Sequence, residues 1–315
     1  MQERTLGSQG PRISVVGYGA WEIGGVHYGP NPNEDAVLMA VRGALEAGMN
    51  WIDTAEIYGD GVSEILVGRA IKGRRDEALI ATKVAPAPYG TGFGPNRIRE
   101  AARKSLQRMA LDHLDLYQLH WFPDEETVPI EETWGAMAEL VEEGLVRYIG
   151  VSNFGQEAIE RCQRIAHMDS LQPEYSMLRR EGEELLAWCG RAGVGVIVYG
   201  PLAYGLLTGA IDDTTRFSPE DWRSGQLPGV PYYQDLFAPE ARGRWLQVVE
   251  RLKPIAEASG VTMSQLALSW ALHQEGVTAA IAGSRNPGHL RENAVAGEIT
   301  LTSDTLKAIE GALGR

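Results

Sequence analysis

Residues 50–59 read Asn50-Trp51-Ile52-Asp53-Thr54-Ala55-Glu56-Ile57-Tyr58-Gly59. The apolar start of this stretch predicts a short buried strand over residues 50–54, which leaves Asp53 at its carboxyl end. Tyr58 follows in the loop after the strand. Because loops that follow parallel strands gather on one face of a barrel, Asp53 and Tyr58 should lie on that face.

The same pattern recurs in both directions along the chain. Short apolar runs number close to eight and alternate with helical patterns, which is typical of βα units around a parallel sheet. Most runs are apolar on both faces, as barrel strands are. Strands are predicted over residues 14–19, 50–54, 78–84, 114–120, 146–152, 170–172, 194–199 and 278–282, and helices over 34–47, 96–109, 130–143, 156–165, 183–191 and 239–259.

This order predicts an α/β fold, a (β/α)8 TIM barrel that forms a single domain over residues 1–315. Residues 4–13 are expected to form an N-terminal β-hairpin that covers the barrel bottom. Two long strand-to-helix loops, residues 85–95 and 200–238, are expected on the active-site face. Glycines follow three helical patterns where a helix C-cap needs a positive φ, namely Gly48, Gly144 and Gly193.

The composition disfavours several classes of protein. Of the 315 residues, 44% are hydrophobic and 23% are charged, values typical of a globular protein with a substantial core. The 29 basic and 42 acidic residues give a net charge of −13, so the surface should repel nucleic acid and anionic membranes. With no signal-peptide or membrane-spanning pattern, we expect a cytoplasmic protein, and a monomer by default.

Metal chemistry is not expected from the sequence. Cys162 and Cys189 lack the C-x-x-C spacing of a structural zinc site, and both fall in helical patterns that predict buried thiols. The six histidines show no H-E-x-x-H or similar ligand spacing.

Two further titratable residues end predicted strands, Lys83 in the third and His120 in the fourth. Taken singly, an Asp–Lys pair is often a structural ion pair, and a histidine after an apolar run is often a satisfied core group. Together with Asp53 and Tyr58, however, they place four titratable side chains on three consecutive strands. That combination indicates a catalytic site.

Motifs over nearly the whole chain resemble those of the aldo-keto reductase family. They are G-Y-G-A-W at 17–21, D-T-A-E-I-Y-G at 53–59, A-T-K-V at 81–84, D-L-Y-Q-L-H at 115–120, I-G-V-S-N-F at 149–154, V-Y-G-P-L at 198–202 and G-S-R-N-P with E-N at 283–293. The resemblance implies an NADPH-dependent oxidoreductase that reduces an aldehyde or ketone, either small, aromatic or sugar-derived, to the alcohol.

The resemblance also implies a role for each residue of the quartet. Tyr58 would be the general acid and His120 would direct the carbonyl oxygen. A carbonyl cannot accept hydride unless its oxygen gains a proton or equivalent stabilisation. Free tyrosine titrates near about 10, so the charge of Lys83 would ease proton release, and Asp53 would hold Lys83 in place.

For the cofactor, the glycines at 17, 19 and 24 lack the spacing of a Rossmann fingerprint. The resemblance implies that Ser152, Asn153 and Gln172 bind the nicotinamide carboxamide and that Tyr199 stacks on its ring. The adenosine end would follow the last strand at a helix N-terminus, where Ser284 and Arg285 would bind the 2′-phosphate and favour NADPH, with NADH a weaker alternative. Further cofactor contacts would be Gly19, Ala20, Trp21, Gly200, Pro201, Leu202, Gly283, His289, Glu292 and Asn293.

The carbonyl substrate should contact Trp21, Tyr58, His120 and Trp121. An aromatic wall of the pocket is also predicted to include Tyr89, Phe93 and Phe122, and the aromatics Trp222, Tyr232 and Tyr233 of the long loop are expected to close over it.

Two other functions stay open at this point. The family also includes potassium-channel β subunits that bind a nicotinamide cofactor in a regulatory role, although no channel-interacting extension is evident in the sequence. Lys83 could instead form a Schiff base, as lysines on barrel strands do in aldolases. The neighbouring Asp53 argues against that reaction because a carboxylate keeps lysine protonated.

Overall fold

The computed structural model describes residues 1–25, 27–29, 33–86, 93–123, 128–227 and 232–314. Its strands are β1 (Glu3–Thr5), β2 (Arg12–Ser14), β3 (Val16–Gly19), β4 (Trp51–Asp53), β5 (Leu79–Val84), β6 (Leu114–Leu119), β7 (Val146–Ser152), β8 (Ser170–Gln172), β9 (Gly195–Val198) and β10 (Val277–Ala282). Its α-helices are α1 (Glu34–Glu46), α2 (Val62–Ala70), α3 (Pro95–Met109), α4 (Ile130–Glu142), α5 (Gln156–Gln163), α6 (Glu183–Arg191), α7 (Pro239–Ala258), α8 (Met263–Leu272), α9 (Pro287–Val295) and α10 (Ser303–Leu313).

Strands β3 to β10 form a closed barrel in which every neighbouring pair is parallel, and β10 closes the ring onto β3. The predicted (β/α)8 barrel is therefore confirmed. Most apolar side chains are buried in one large cluster that joins the strands to the surrounding helices. The predicted helix boundaries lie within two residues of the observed ones.

The N-terminal hairpin seals one end of the barrel, as predicted. Strands β1 and β2 pair antiparallel, and Leu6 in the turn between them is buried together with Ile13 of β2. These two side chains pack against apolar residues inside the barrel, including Trp51, Leu116 and Ile197. The hairpin thus plugs the amino-terminal mouth of the barrel and leaves the carboxyl ends of the strands for the site.

The strand predicted over residues 14–19 is confirmed as β3, but it begins two residues later than predicted, because the hairpin strand β2 includes Ser14. Strand β2 ends at Ser14 and β3 begins at Val16. The Ser14 amide donates to Asn50 Oδ1 at 2.8 Å, and its hydroxyl donates to the Val16 carbonyl at 2.7 Å. These local bonds turn the chain from the hairpin into the barrel.

Of the α-helices formed by the described residues, four have no predicted range: α2, α8, α9 and α10. Helix α2 starts after Gly61 in a left-handed conformation, spans nine residues and contains the β-favouring Val62, Ile65 and Val67. Helix α8 is buried on all sides except at Gln265, so its sequence shows no polar face at helical spacing. Both lack the amphipathic pattern from which a helix is normally predicted.

The predicted positive φ angles of three glycines and the predicted burial of both cysteines are confirmed. Gly48, Gly144 and Gly193 have φ angles of 91°, 73° and 76°. Cys162 and Cys189 are buried within α5 and α6. Among the helices formed by the described residues, none is both long and apolar enough to cross a membrane.

Helices α2 and α3 touch backbone to backbone at Gly68. A Cβ atom at this position would lie 2.4 Å from the Met109 carbonyl oxygen and 2.6 Å from its Cα. Gly135, in α4, has nothing within 4 Å of the corresponding position. The two glycines therefore form a matched pair in helix interiors, one in close contact with a neighbouring helix and one with open space.

We expect Gly68→Ala to lower the free energy of unfolding by about 1–3 kcal/mol, because the contact is with backbone that moves only if the helices separate. Gly135→Ala should raise it by about 0.5–1 kcal/mol through helix propensity. Urea unfolding followed by circular dichroism measures both values. Equal effects of the two substitutions would show that the α2–α3 contact does not limit packing.

Candidate active site

The four predicted catalytic residues lie together at the open end of the barrel. Asp53 is the last residue of β4, Lys83 the last but one of β5, and His120 follows β6 directly. Tyr58 lies in the loop after β4 and reaches back to the same point, where its hydroxyl meets the Lys83 ammonium. Neighbouring parallel strands thus place all four side chains within one cluster.

Lys83 is the centre of this cluster. It is fully buried, and its Nζ donates to Asp53 Oδ1 at 2.5 Å, the Thr54 carbonyl at 2.9 Å and Tyr58 Oη at 3.2 Å. Burial lowers the pKa of Lys83, while Asp53 acts in the opposite direction. Because these three acceptors match the three N–H groups of an ammonium, the geometry fits a charged lysine that polarises the Tyr58 hydroxyl.

His120 lies against both Tyr58 and Trp121. Its ring stacks on Trp121 at a centroid distance of 3.9 Å and meets the Tyr58 ring edge-on at 5.8 Å. Burial, with a contribution from the charge of Lys83, lowers the pKa of His120 well below its usual value. The imidazole is therefore neutral at physiological pH and presents one N–H donor and one acceptor.

The residues predicted to bind the carboxamide gather beside the quartet. Ser152 Oγ donates to the Gln172 carbonyl at 2.7 Å, and Asn153 Nδ2 donates to the His120 carbonyl at 3.1 Å. Gln172 Nε2 donates to Asp53 Oδ2 at 2.8 Å, which links this group to the cluster around Lys83. Tyr199 Oη donates to Asn153 Oδ1 at 2.9 Å and lies 3.1 Å from Tyr232 Oη.

The predicted adenosine end lies after β10, at the start of α9. The Asn286 side chain caps this helix by accepting from the Gly288 amide at 2.8 Å. Arg285 does not point into open solvent: its Nε and Nη2 donate to the Glu22 carbonyl at 3.1 and 2.6 Å. Ser284 Oγ lies 3.3 Å from His289 Nδ1.

One cleft of about 1150 Å³ connects the residues predicted to bind the nicotinamide with those predicted to bind the adenosine. It exceeds the usual range of single-ligand pockets, so it has room for a dinucleotide and a substrate together. Asp53, Tyr58 and His120 line it, whereas Lys83 is buried beneath. Lining residues from the predicted cofactor and substrate sets are Gly19, Trp21, Trp121, Ser152, Asn153, Gln172, Tyr199, Gly200, Pro201, Leu202, Gly283, Ser284, Arg285, His289, Glu292 and Asn293.

Some predicted residues do not reach the cleft. Ala20 is fully buried, and its amide donates to the Asp53 carbonyl. Phe93 is also fully buried, so it belongs to the core and not to the aromatic wall. Phe122 packs edge-on against Phe154 at 5.1 Å. Tyr89 lies outside the described residues.

The long loop supplies an aromatic cluster that the sequence indicated only in part. Tyr232 lines the cleft as expected, but Trp222 is fully buried behind it. Tyr204 was not predicted: its ring stacks on Tyr232 at 4.9 Å and meets Trp21 edge-on at 6.1 Å. Its φ of 55° is rare for a residue with a side chain, and no sequence signal marks such a backbone.

Other lining residues that sequence reasoning missed include the polar and aromatic side chains of Glu22, His27, Tyr28 and Arg223. Glu22 directly follows the G-Y-G-A-W motif, so its position in the loop after β3 was the available signal. Within the described ranges there is no cluster of three His, Cys, Asp or Glu side chains suited to a metal ion.

An acid–base cluster in a deep cleft, at the carboxyl ends of the strands of a parallel barrel, defines the class of barrel enzymes. A sequence model of the aldo/keto reductase family matches residues 15–313. The aldo-keto reductase YhdN of Bacillus subtilis (strain 168) is 35% identical over 321 residues, covering 99% of this chain and 94% of that protein. The chain therefore belongs to the aldo/keto reductase family of oxidoreductases, as its motifs suggested.

Solved structures agree with this assignment. A glycerol dehydrogenase from Gluconobacter oxydans is 31% identical with a TM-score of 0.86, covering 99% of this chain and 95% of that chain. An aldo/keto reductase from Klebsiella pneumoniae, solved in complex with NADP and acetate, is 29% identical with a TM-score of 0.76 and the same two coverages.

The neutral state of His120 predicts a pH dependence of stability. Unfolded histidine titrates near about 6.5, whereas folded His120 titrates well below that value, so in acid the unfolded state binds more protons. This residue's contribution should be complete above about pH 6.5 and fall by up to about 1.4 kcal/mol for each pH unit below it.

Urea unfolding of the wild type and of His120→Gln at neutral and mildly acidic pH tests this expectation. The variant should lose less stability than the wild type on acidification, and the difference isolates His120 from the other histidines. Parallel losses in the two proteins would mean that His120 binds protons equally in the folded and unfolded states, so that folding does not lower its pKa.

Proposed function

We propose that this protein is an NADPH-dependent reductase that converts an aldehyde or ketone to its alcohol, with Tyr58 as general acid. The observation that carries the proposal is the contact of the buried Lys83 ammonium with both Asp53 and the Tyr58 hydroxyl, at the floor of the cleft. In that position the ammonium stabilises the anion that Tyr58 becomes on giving up its proton.

Each side chain of the cluster would have a separate role in the reaction. A nicotinamide bound in the cleft would supply the hydride to the carbonyl carbon. Tyr58 would donate its hydroxyl proton to the carbonyl oxygen, and the neutral His120 would orient that oxygen through a hydrogen bond. Asp53 keeps Lys83 in place, and the charge of Lys83 favours proton release.

The cleft fits a nicotinamide dinucleotide at both of its ends. Amide and hydroxyl groups of Ser152, Asn153 and Gln172 surround the nicotinamide end, and Arg285 and the start of α9 supply donors at the adenosine end. The Klebsiella pneumoniae relative was solved with NADP, which supports the same class of cofactor here.

The substrate pocket is aromatic. Trp21, Tyr28, Trp121, Tyr204 and Tyr232 line the same cleft as Tyr58 and His120. These rings suit a small or aromatic carbonyl compound. The tyrosine hydroxyls also provide hydrogen-bond partners for a sugar-derived one. One of the similar structures is a glycerol dehydrogenase, so the panel of test substrates should include carbonyl compounds derived from polyols.

Tyr58→Phe tests the reaction directly. The loss of NADPH absorbance is followed with purified protein and a panel of aldehydes, ketones and sugars. The wild type should turn over at least one of them, and the variant should lose about 100-fold or more of the rate, the usual contribution of a general acid. Dinucleotide affinity, measured by tryptophan fluorescence, should be nearly unchanged in the variant.

Full activity of Tyr58→Phe would contradict the assignment of the acid. Tight NADPH binding by the wild type without turnover of any carbonyl would instead favour a regulatory nicotinamide-binding role.

Arg285→Ala tests the choice of cofactor. Hydrogen bonds to charged groups contribute about 1.5–3 kcal/mol, so the loss of the guanidinium should weaken NADPH binding by roughly 10- to 100-fold. NADH carries no 2′-phosphate, and its dissociation constant should change by less than about twofold. Equal losses for both cofactors would remove Arg285 from the phosphate site.

A further inference from the structure

Glu22 is an acidic side chain in a cleft that is expected to hold an anionic cofactor. It opens the short 3₁₀-helix Glu22–Gly24 directly after Trp21 and lines the same cleft as Ser284, Arg285 and His289. Its backbone carbonyl accepts from Arg285, but its carboxylate has no hydrogen bond or ion pair with any other described residue. The carboxylate therefore faces the cleft without a bound partner.

The cations around Glu22 do not neutralise it in equal measure. Arg223 is committed to Asp221, with Nη2–Oδ2 and Nε–Oδ1 distances of 2.7 and 3.0 Å. The charges of Arg223, Arg285 and His289 all act on the Glu22 carboxyl, and that of Asp221 opposes them. Arg223 acts most strongly but is ion-paired with Asp221, and Arg285 is the next strongest of these cations. Arg285 is also the one whose guanidinium contacts the Glu22 backbone carbonyl.

Tyr18 and Tyr28 complete these surroundings. Tyr18 is fully buried and Tyr28 is half-buried. Burial raises the pKa of both hydroxyls and the charge of Glu22 raises it further, so both tyrosines stay neutral. Burial likewise raises the pKa of Glu22 itself, while Arg223 and Arg285 lower it. A poorly hydrated carboxylate of this kind interacts strongly with any new charge placed in the cleft.

We propose that Glu22 is a specificity-determining residue for the cofactor: its carboxylate opposes the 2′-phosphate at Arg285 and so narrows the preference for NADPH over NADH. The inference rests on the proposed function, since it takes Arg285 as the phosphate site. The 2′-phosphate of NADPH adds up to two negative charges close to Arg285, and the ionised Glu22 repels them while it attracts the same guanidinium. NADH has a hydroxyl at this position and meets no such repulsion.

Glu22→Gln tests the proposal, because it removes the charge and keeps the size of the side chain. Dissociation constants for NADP⁺ and NAD⁺ are measured by tryptophan fluorescence at mildly alkaline pH, which favours the ionised carboxylate. NADP⁺ should bind roughly five- to tenfold more tightly to the variant, and NAD⁺ should change by less than about twofold.

Glu46→Gln is the matched control. Glu46 ends α1 on the surface with 69% of its side chain exposed, and its substitution changes the net charge by the same amount outside the cleft. It should leave both dissociation constants unchanged. Should Glu22→Gln fail to fold, Glu22→Asp withdraws the carboxylate by one methylene and should give a smaller gain, again for NADP⁺ alone.

The other outcomes separate this inference from the proposed function. An equal gain in affinity for both dinucleotides would show that Glu22 repels the pyrophosphate that they share, and would overturn the proposal. A loss for both would make Glu22 a ribose ligand and overturn it as well. A wild type that binds neither dinucleotide would defeat the proposed function, and this inference with it.

Discussion

The buried ion pair between Lys83 and Asp53 is the interaction on which the site depends. Two charges removed from water cost free energy that only close pairing and further hydrogen bonds offset. Here the offset comes from the Thr54 carbonyl and the Tyr58 hydroxyl on Lys83, and from the Gln172 amide on Asp53. The hydrogen bonds that offset the cost of burying the ion pair also fix the positions of Tyr58 and Gln172. One network of hydrogen bonds therefore stabilises the fold and positions the groups of the site.

The barrel is what makes this pair possible. Asp53 and Lys83 lie at the carboxyl ends of the neighbouring parallel strands β4 and β5. The register of these strands brings Asp53 opposite Ala81, two residues before Lys83. Side chains two residues apart on a strand lie on the same face, so both point into the barrel. A ring of backbone hydrogen bonds holds this arrangement, and the helices outside it keep water away.

Sequence reasoning was strongest where a pattern has a single physical explanation. Alternating apolar runs and helical patterns predicted the barrel. The strand-end residues Asp53, Lys83 and His120 lie within one cluster, as expected. It failed for α8, where burial on all sides erases the polar face that marks a helix. It also missed Tyr204 and Glu22, because a left-handed backbone and the direction of a loop side chain depend on distant contacts that no local pattern encodes.

The hairpin at the base of the barrel limits the routes by which protons can reach the site. Leu6 and Ile13 close the barrel from below, and Lys83 itself has no exposed surface. Of its three hydrogen-bond acceptors, only the Tyr58 hydroxyl carries a proton of its own, and Tyr58 lines the cleft. Asp53, the other side chain that Lys83 contacts, lines the same cleft. Under the proposed function, the proton that Tyr58 gives up would therefore be replaced through the same mouth by which substrate enters.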